Sequence, residues 1–458
     1  MTRFDSLPLR PALLASVENL GYASMTPVQA ASLPAMLEGR DLIAQARTGG
    51  GKTAAFGLGL LQQLEVDTIR LQGLVLCPTR ELADQVAKSL RKLAAAIPNV
   101  KILTLCGGMP LGPQLASLSH DPHIVVGTPG RIQEHLKRGS LHGGGVTTLV
   151  LDEADRMLDM GFEEAINDIA GRIGKLHRTW LFSATYPDEI RAASRRLQQD
   201  PAEITVDTEV PSTVIEQQFY EVEPARKNEL VATLMSLQLV DSALIFSNTR
   251  RGSEDVADAL IKAGFSALAL HGEMEQRDRD EVLVRFANRS CAILVATDVA
   301  ARGLDIDSLP LVISHDLAHD PQTHTHRIGR TGRAGQHGLA ISLVTPRELG
   351  RLASFAEVLG PLPPCRPAPS RNRGGKPPKP APMRTLVIDA GKQDKLRPGD
   401  IMGALTGDAG LPAAAVGKID VYATRAYVAI ARAHFDAAQE RLRKGRIKGR
   451  NFRVRRLD

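Results

Sequence analysis

Four cysteines in 458 residues, Cys77, Cys106, Cys291 and Cys365, stand far apart with no close pair. That excludes a disulfide framework and any zinc site recognisable by spacing, and a reducing, cytoplasmic compartment is expected. No apolar stretch approaches membrane-spanning length, and MTRFDSLPLRPALL lacks the continuous apolar core of a signal peptide, so neither export nor a membrane partner is expected. Aromatic residues are scarce as well, at 4%. Acidic residues are missing altogether from Gly360 to Pro382, which holds 5 Lys/Arg, while residues 383–458 hold 16 Lys/Arg against 8 Asp/Glu. These two stretches carry +13 of a chain whose net charge is +6, leaving residues 1–359 at −7. A basic C-terminal fifth on an acidic body points to a polyanion-binding appendage, because clustered Lys/Arg gain affinity by releasing phosphate counterions. The alternative is a merely solubilising tail.

The remaining composition, 43% hydrophobic and 24% charged, is that of folded globular domains, and the length exceeds what one core organises. Short apolar runs alternate with longer amphipathic stretches, the pattern of parallel sheets wrapped by helices, and this occurs twice. The runs of the first half are 41–46, 73–79, 123–129, 148–154 and 179–185; those of the second are 243–249, 267–272, 292–297, 311–317 and 340–345. Nearly all-apolar strands are buried on both faces, and polar or Gly/Pro residues follow each one, where ligand loops leave the C-terminal ends of parallel strands. The expected fold class is α/β, with two tandem parallel-sheet domains, 1–205 and 214–359, joined by 206–213. Nine prolines among residues 360–382 mark a basic, extended spacer, expected to form no packed helix or strand. Residues 383–458 read β-α-β-β-α-β, a small α+β domain like an RNA-recognition motif (RRM).

The run 41–46 leads into Ala46-Arg47-Thr48-Gly49-Gly50-Gly51-Lys52-Thr53 and then an apolar helix. In such a loop, which takes in Thr48, the glycines Gly49, Gly50 and Gly51 let backbone N–H groups converge on phosphate oxygens. Lys52 supplies charge for the β- and γ-phosphates, and Thr53 offers a hydroxyl to Mg²⁺. The run 148–154 ends on Asp152-Glu153-Ala154-Asp155. Asp152 suits Mg²⁺ and Glu153 suits an attacking water, although adjacent carboxylates also suit a plain acidic helix N-terminus. His326-Arg327-Ile328-Gly329-Arg330-Thr331-Gly332-Arg333 offers Arg330 and Arg333 to stabilise charge on the γ-phosphate, or else a basic patch against a nucleic acid backbone.

In order and number these motifs resemble those of the DEAD-box RNA helicases, over Phe4 to about residue 350. The resemblance implies two RecA-like domains and an RNA-stimulated ATPase, an ATP-dependent RNA helicase using ATP and Mg²⁺. ATP would sit between Lys52, Thr53, Asp152 and Glu153 on one wall and Arg330 and Arg333 on the other. Phe4, Gly21-Tyr22 and Thr26-Pro27-Val28-Gln29 resemble the Q motif, which implies that Gln29 reads adenine with Thr26 and Phe4 nearby. Thr79 and Arg80 in Pro78–Leu82, Gly107-Gly108, and Thr128 and Arg131 in Thr128–Arg131 look like the first domain's RNA-backbone motifs. Ser183-Ala184-Thr185 looks like the motif coupling hydrolysis to RNA binding, a role shared with His326. In the second domain Ile245-Phe246, Gln276 to Arg279, Thr297-Asp298 and Ala301 to Asp305 complete the set, with Asp305 on the ribose and Thr297 and Arg302 on the RNA path. Gly50 departs from the small polar residue usual there and should loosen the loop slightly.

The stretches 391–411 and 417–430 resemble the RNA-binding domain of the DbpA type of these helicases, which implies large-subunit ribosomal RNA as partner and a part in ribosome biogenesis. The enzyme is expected to act as a monomer. The first strand of this domain has no aromatic, and Tyr427 with Arg425 stands where a stacking ring is usual; Tyr427 equally suits a core position. RNA contact is expected from Lys392, Lys395, Arg397 and the basic end 446–456. Two other readings compete, an ATP-gated RNA clamp or RNA chaperone that separates no strands, and a P-loop ATPase that drives DNA translocation or transport.

Overall fold

The computed structural model describes residues 2–46, 49–173, 178–186, 188–206, 215–238, 240–301, 309–332, 337–369, 377–407 and 410–457. Strands β1 (Leu42–Gln45), β2 (Gly73–Leu76), β3 (Ile102–Leu105), β4 (Ile124–Gly127), β5 (Thr148–Asp152), β6 (Arg178–Ser183) and β7 (Ala202–Thr205) form a parallel sheet in the order β3-β4-β2-β5-β6-β1-β7. A second parallel sheet, β10-β11-β9-β12-β13-β8-β14, is built from β8 (Ile215–Glu221), β9 (Ala243–Phe246), β10 (Ala267–Leu270), β11 (Ile293–Ala296), β12 (Leu311–Ser314), β13 (Gly338–Val344) and β14 (Cys365–Pro367). The third is antiparallel, β16-β17-β15-β18, from β15 (Met383–Ile388), β16 (Val416–Val421), β17 (Ala426–Ala431) and β18 (Val454–Leu457). The chain divides into two compact units, the first around the β1–β7 sheet, the second holding both the β8–β14 sheet and the C-terminal sheet.

The fold class expected from the sequence is the one observed: two parallel α/β sheets and a small antiparallel domain in β-α-β-β-α-β order. All ten apolar runs are strands, and each central strand is buried along its length because helices cover both faces. The strands that the runs did not announce, β3, β7, β8 and β14, lie at sheet edges or one strand in. There one face meets solvent, so polar residues interrupt the apolar pattern. The single tryptophan, Trp180 on β6, is fully buried, donates to Arg40 O at 3.1 Å and fills the space beside Gly59, where a Cβ would stand 2.9 Å from its ring.

The proline-rich spacer needs one correction. Cys365–Pro367 joins the second sheet, pairing in parallel with Phe219–Glu221 as its edge strand. Proline is tolerated on an edge because the missing N–H costs no ladder bond on the open side. Further along, Ala381 is buried, and Arg432 of the C-terminal domain donates to the carbonyls of Pro382 and Ala381 at 3.1 and 3.0 Å. Among the described residues, no helix is long and apolar enough to cross a membrane.

Candidate nucleotide and RNA sites

The phosphate loop is built where β1 hands the chain to helix Lys52–Gln63. Gly51 caps that helix with φ of 92°, and a Cβ there would stand 2.5 Å from Gln29 Nε2 and 2.8 Å from Thr26 Oγ1. Only glycine fits this close approach. Thr26 Oγ1 donates to Gly50 O at 2.7 Å, Gln29 Nε2 donates to Gly51 O at 3.1 Å, and Gln29 Oε1 accepts from Thr26 N at 2.9 Å. The amide nitrogen of the buried Gln29 side chain is thus spent on holding the loop, a task the motif did not announce, and its oxygen caps its own helix. Gly50 is held through its carbonyl, which any residue would supply, so a polar side chain at 50 is dispensable for this clamp. Phe4 is buried in the first domain's core. Thr48 lies outside the described residues.

Lys52 is only 6% exposed, and its Nζ has no hydrogen-bond partner. Thr53 follows it, half-buried, on the first helical turn. Asp152 ends β5 in full burial, which pushes its carboxyl up to about 7 against the pull of Lys52. Glu153 adopts left-handed backbone, φ 53°, an uncommon conformation for a non-glycine residue that marks a constrained site. Its buried Oε2 makes no hydrogen bond and lies 3.5 Å from Arg156 Nε. A buried ammonium and a buried carboxylate left short of partners cost free energy until a ligand completes them. The set also fits a phosphate with a hard cation, since Thr53 and Asp152 present oxygen donors. Asp155 turns inward instead, accepting from Thr185 N at 3.1 Å and Thr185 Oγ1 at 2.9 Å, which joins the DEAD box to Ser183-Ala184-Thr185. The buried Ser183 Oγ has no hydrogen bond.

Three RNA-motif segments converge elsewhere in the same unit. Thr79 caps helix Arg80–Leu93 by accepting from Leu82 N at 3.3 Å, and the Arg80 guanidinium occupies the space a Cβ of Gly108 would need. Thr128 Oγ1 accepts from Gly107 N at 3.2 Å, and Arg131 donates to Met109 O at 3.1 Å while pairing with Glu134 at 3.0 Å. Beneath them buried His135 bridges Gln114 at 3.0 Å and Ser140 at 2.8 Å, and burial lowers its pKa, keeping the ring neutral.

In the second unit Thr297 begins the turn after β11 and is half-buried, as is His326; Arg330 is buried. Arg302, Asp305 and Arg333 lie outside the described residues. The sequence reading passed over the residue that organises this region. Arg327 is fully buried, donates to both carboxylate oxygens of Asp298 at 2.7 and 2.6 Å and to Asn248 Oδ1 at 2.6 Å, and reaches Asp316 O at 2.5 Å. Burial alone would raise the Asp316 carboxyl, but hydrogen bonds from His315 and Asn248 N, with the charge of Lys227, hold it well below the usual range. Nothing in the run 326–333 separates Arg327 from its neighbouring arginines, because only the tertiary contacts do so.

In the C-terminal domain Lys392, Lys395 and Arg397 are exposed on the turn preceding helix Pro398–Thr406, and Lys448 Nζ donates to Lys395 O at 3.1 Å. Tyr427 is neither a free stacking ring nor part of its own domain's core. It is 4% exposed, packs with Val387 against Val284 of helix Gln276–Ala287, and its hydroxyl donates to Glu281 at 3.4 Å.

The comparisons with known proteins follow the same division of the chain. Residues 26–193 match the DEAD/DEAH box helicase family, residues 226–335 the helicase conserved C-terminal domain, and residues 385–456 the DbpA RNA binding domain. The chain is 53% identical over 463 aligned positions to the ATP-dependent RNA helicase DbpA of Escherichia coli K12, covering 100% of both chains. It is 45% identical to the DEAD-box ATP-dependent RNA helicase CshA of Bacillus cereus, over 78% of this chain and 68% of that one. Among solved structures, S. cerevisiae Dbp5 bound to RNA and ADP BeF3 superposes with a TM-score of 0.73 at 29% identity, covering 80% of this chain and 95% of that one. The full-length identity, joined to a phosphate loop, a DEAD box and a C-terminal RNA-binding domain in one order, places this chain in the DEAD-box family of ATP-dependent RNA helicases, in its DbpA type.

Proposed function

We propose that this helicase hydrolyses ATP under RNA stimulation and locally opens structured large-subunit ribosomal RNA during ribosome assembly in the cytoplasm. The observation that carries the ATP step is the pair of buried groups without hydrogen-bond partners, Lys52 Nζ and Glu153 Oε2. Lys52, Gly49, Gly50 and Gly51, with Thr48, receive the phosphates; Thr26, Gln29 and Phe4 serve the adenine end; Asp305 serves the ribose. Thr53 and Asp152 would hold Mg²⁺, which supplies positive charge at the transferred phosphate when bound. Glu153 orients the attacking water and accepts its proton. Arg330 and Arg333 neutralise charge that develops on the γ-phosphate. Ser183, Thr185 and His326 couple that step to RNA lying along Thr79, Arg80, Gly108, Thr128, Arg131, Thr297 and Arg302. Lys392, Lys395 and Arg397 grip structured RNA outside the helicase domains.

The ribosomal target is supported by the match of residues 385–456 to the DbpA RNA binding domain and by the +13 charge of residues 360–458. The test is ATPase rate against RNA concentration for the full chain, comparing a ribosomal fragment that carries the peptidyl-transferase hairpin with a scrambled RNA of equal length. The ribosomal fragment should half-saturate at much lower concentration, and Lys392→Glu/Lys395→Glu/Arg397→Glu should raise that concentration by about tenfold or more. Equal stimulation by both RNAs would sink the ribosomal target and leave an unspecialised helicase.

A further inference from the structure

The outer face of the C-terminal sheet, the face an RRM ordinarily offers to bases, is covered by the protein itself. Side chains alternate along a strand, so on β15 Leu386 and Ile388 enter the domain's own core while Thr385 and Val387 face outward. The register sets Val387 between Tyr427 on β17 and Arg455 on β18. Helix Gln276–Ala287 of the second helicase domain lies across this row. Its residues Glu281 and Val284, with Asn288 beyond its end, recur at spacings of three and four and so share one face. Val284 packs on Val387, Tyr427 and Leu457. Asn288 Nδ2 donates to the buried Thr385 Oγ1 at 2.9 Å, and Ser290 Oγ lies 2.6 Å from the same oxygen.

Glu281 is the charged centre of this contact. A single oxygen, Oε1, receives Arg455 at 3.3 Å, Arg425 at 3.5 Å and the Tyr427 hydroxyl at 3.4 Å, besides Arg277 of its own helix at 3.5 Å. Its side chain is 15% exposed, and those of Arg425 and Arg455 are 27% and 30% exposed. Asp389 stands beside the same two arginines, farther off at 3.8 and 3.9 Å. Without the Glu281 carboxylate, three guanidinium groups would crowd one partly buried spot, and like charges there repel. The helix that carries Glu281 opens with Gln276 to Arg279, a segment that helps complete the family's motif set in the second helicase domain. The strap β14 and the Arg432 bonds to Ala381 and Pro382 hold the connecting chain on both sides of the contact.

We infer that Glu281 is a positioning residue that mounts the C-terminal domain at a fixed offset on the second helicase domain, so that RNA gripped by the one is presented to the other at a set distance. This rests on the reading that the C-terminal domain grips RNA. The extended spacer expected over residues 360–382 would fix only a reach, whereas a docked mount also fixes the orientation and so selects one distance.

The test uses full-length protein with Cys365→Ser and dyes on cysteines replacing exposed Ile261 and Glu440, read by single-pair energy transfer. Wild type should give one narrow distance distribution. Glu281→Arg should broaden it, Glu281→Gln should broaden it less, and Glu281→Arg with Arg425→Glu and Arg455→Glu should restore it. In parallel, strand separation is measured on ribosomal fragments whose duplex is joined to the peptidyl-transferase hairpin through single-stranded spacers of increasing length. Wild type should show a sharp optimum. Glu281→Arg should lose about tenfold at that optimum and show a flat dependence, with fragment affinity changed by less than about twofold, because the grip itself is elsewhere. A broad distribution in wild type, or an unchanged distribution and optimum in Glu281→Arg, overturns the inference. Failure of the wild type to prefer the ribosomal fragment strikes the RNA reading alone, since the dye distances judge the mount without RNA.

Discussion

Buried polar groups have opposite fates in two regions of this molecule. At the phosphate loop Lys52 Nζ and Glu153 Oε2 are buried without hydrogen-bond partners, and Asp152 is pushed up to about 7 by burial. On the outer face of the C-terminal sheet Thr385, Tyr427 and the arginines beside Glu281 all meet partners from the second helicase domain. The free-energy penalty of an unsatisfied buried polar group separates the two cases: it persists where a ligand will relieve it, and it is removed where the group serves architecture. A surface that looks like a binding face in the sequence can therefore be an internal joint, and satisfaction of its polar atoms reveals which.

Breaking the open site should give the largest effects. Lys52→Ala removes the loop's charge aimed at the transferred phosphate and should lower RNA-stimulated ATPase by at least about 10³-fold in a phosphate-release assay. Glu153→Gln keeps the shape but not the base. Turnover should fall by roughly 10²- to 10³-fold while nucleotide binding persists, and RNA should leave the ATP-loaded variant more slowly than the wild type in a chase experiment.

The closed sites should respond in stability rather than chemistry. His324 stacks near Phe219 and Phe355 and bonds Gln217 at 3.1 Å; burial first, and then Arg327, lowers its pKa to about 4. Above pH 6.5 such a depressed imidazole adds no pH dependence. As pH falls below that value the unfolded chain takes up a proton that the folded protein refuses, so stability drops until about pH 4, by roughly 3 kcal/mol in all. Chemical denaturation at pH 7 and pH 4.5 should show this slope in the wild type and a shallower one in His324→Phe. Asn288→Ala leaves the buried Thr385 hydroxyl with Ser290 alone and should cost about 1–3 kcal/mol in the same assay at pH 7. The smallest change is Tyr427→Phe, which deletes one long hydrogen bond to Glu281 but keeps the packing; a loss above about 1 kcal/mol would show that the hydroxyl matters more at this joint than its 3.4 Å bond suggests.

Legibility in the sequence followed locality. The phosphate loop and the DEAD box each lie within eight consecutive residues directly after a buried strand, so periodicity and motif together located Lys52, Thr53, Asp152 and Glu153. The ten apolar runs that form strands were equally plain. The edge strand Cys365–Pro367 was hidden in a proline-rich run, because an edge needs only one ladder and little burial. Gln29 was legible as part of a motif, but its grip on the Gly51 carbonyl was not, since the two residues are 22 positions apart.

What the sequence determined by itself was thus the family, the order of its folded parts and the residues whose chemistry depends on immediate neighbours in the chain. Only the tertiary structure decided that Arg327 is a buried hub reaching Asp298 and Asn248, and that Tyr427 faces Glu281 across 146 residues of chain. Side-chain alternation fixes which residues share a face, but which face meets solvent and which meets another domain depends on contacts between segments distant in sequence.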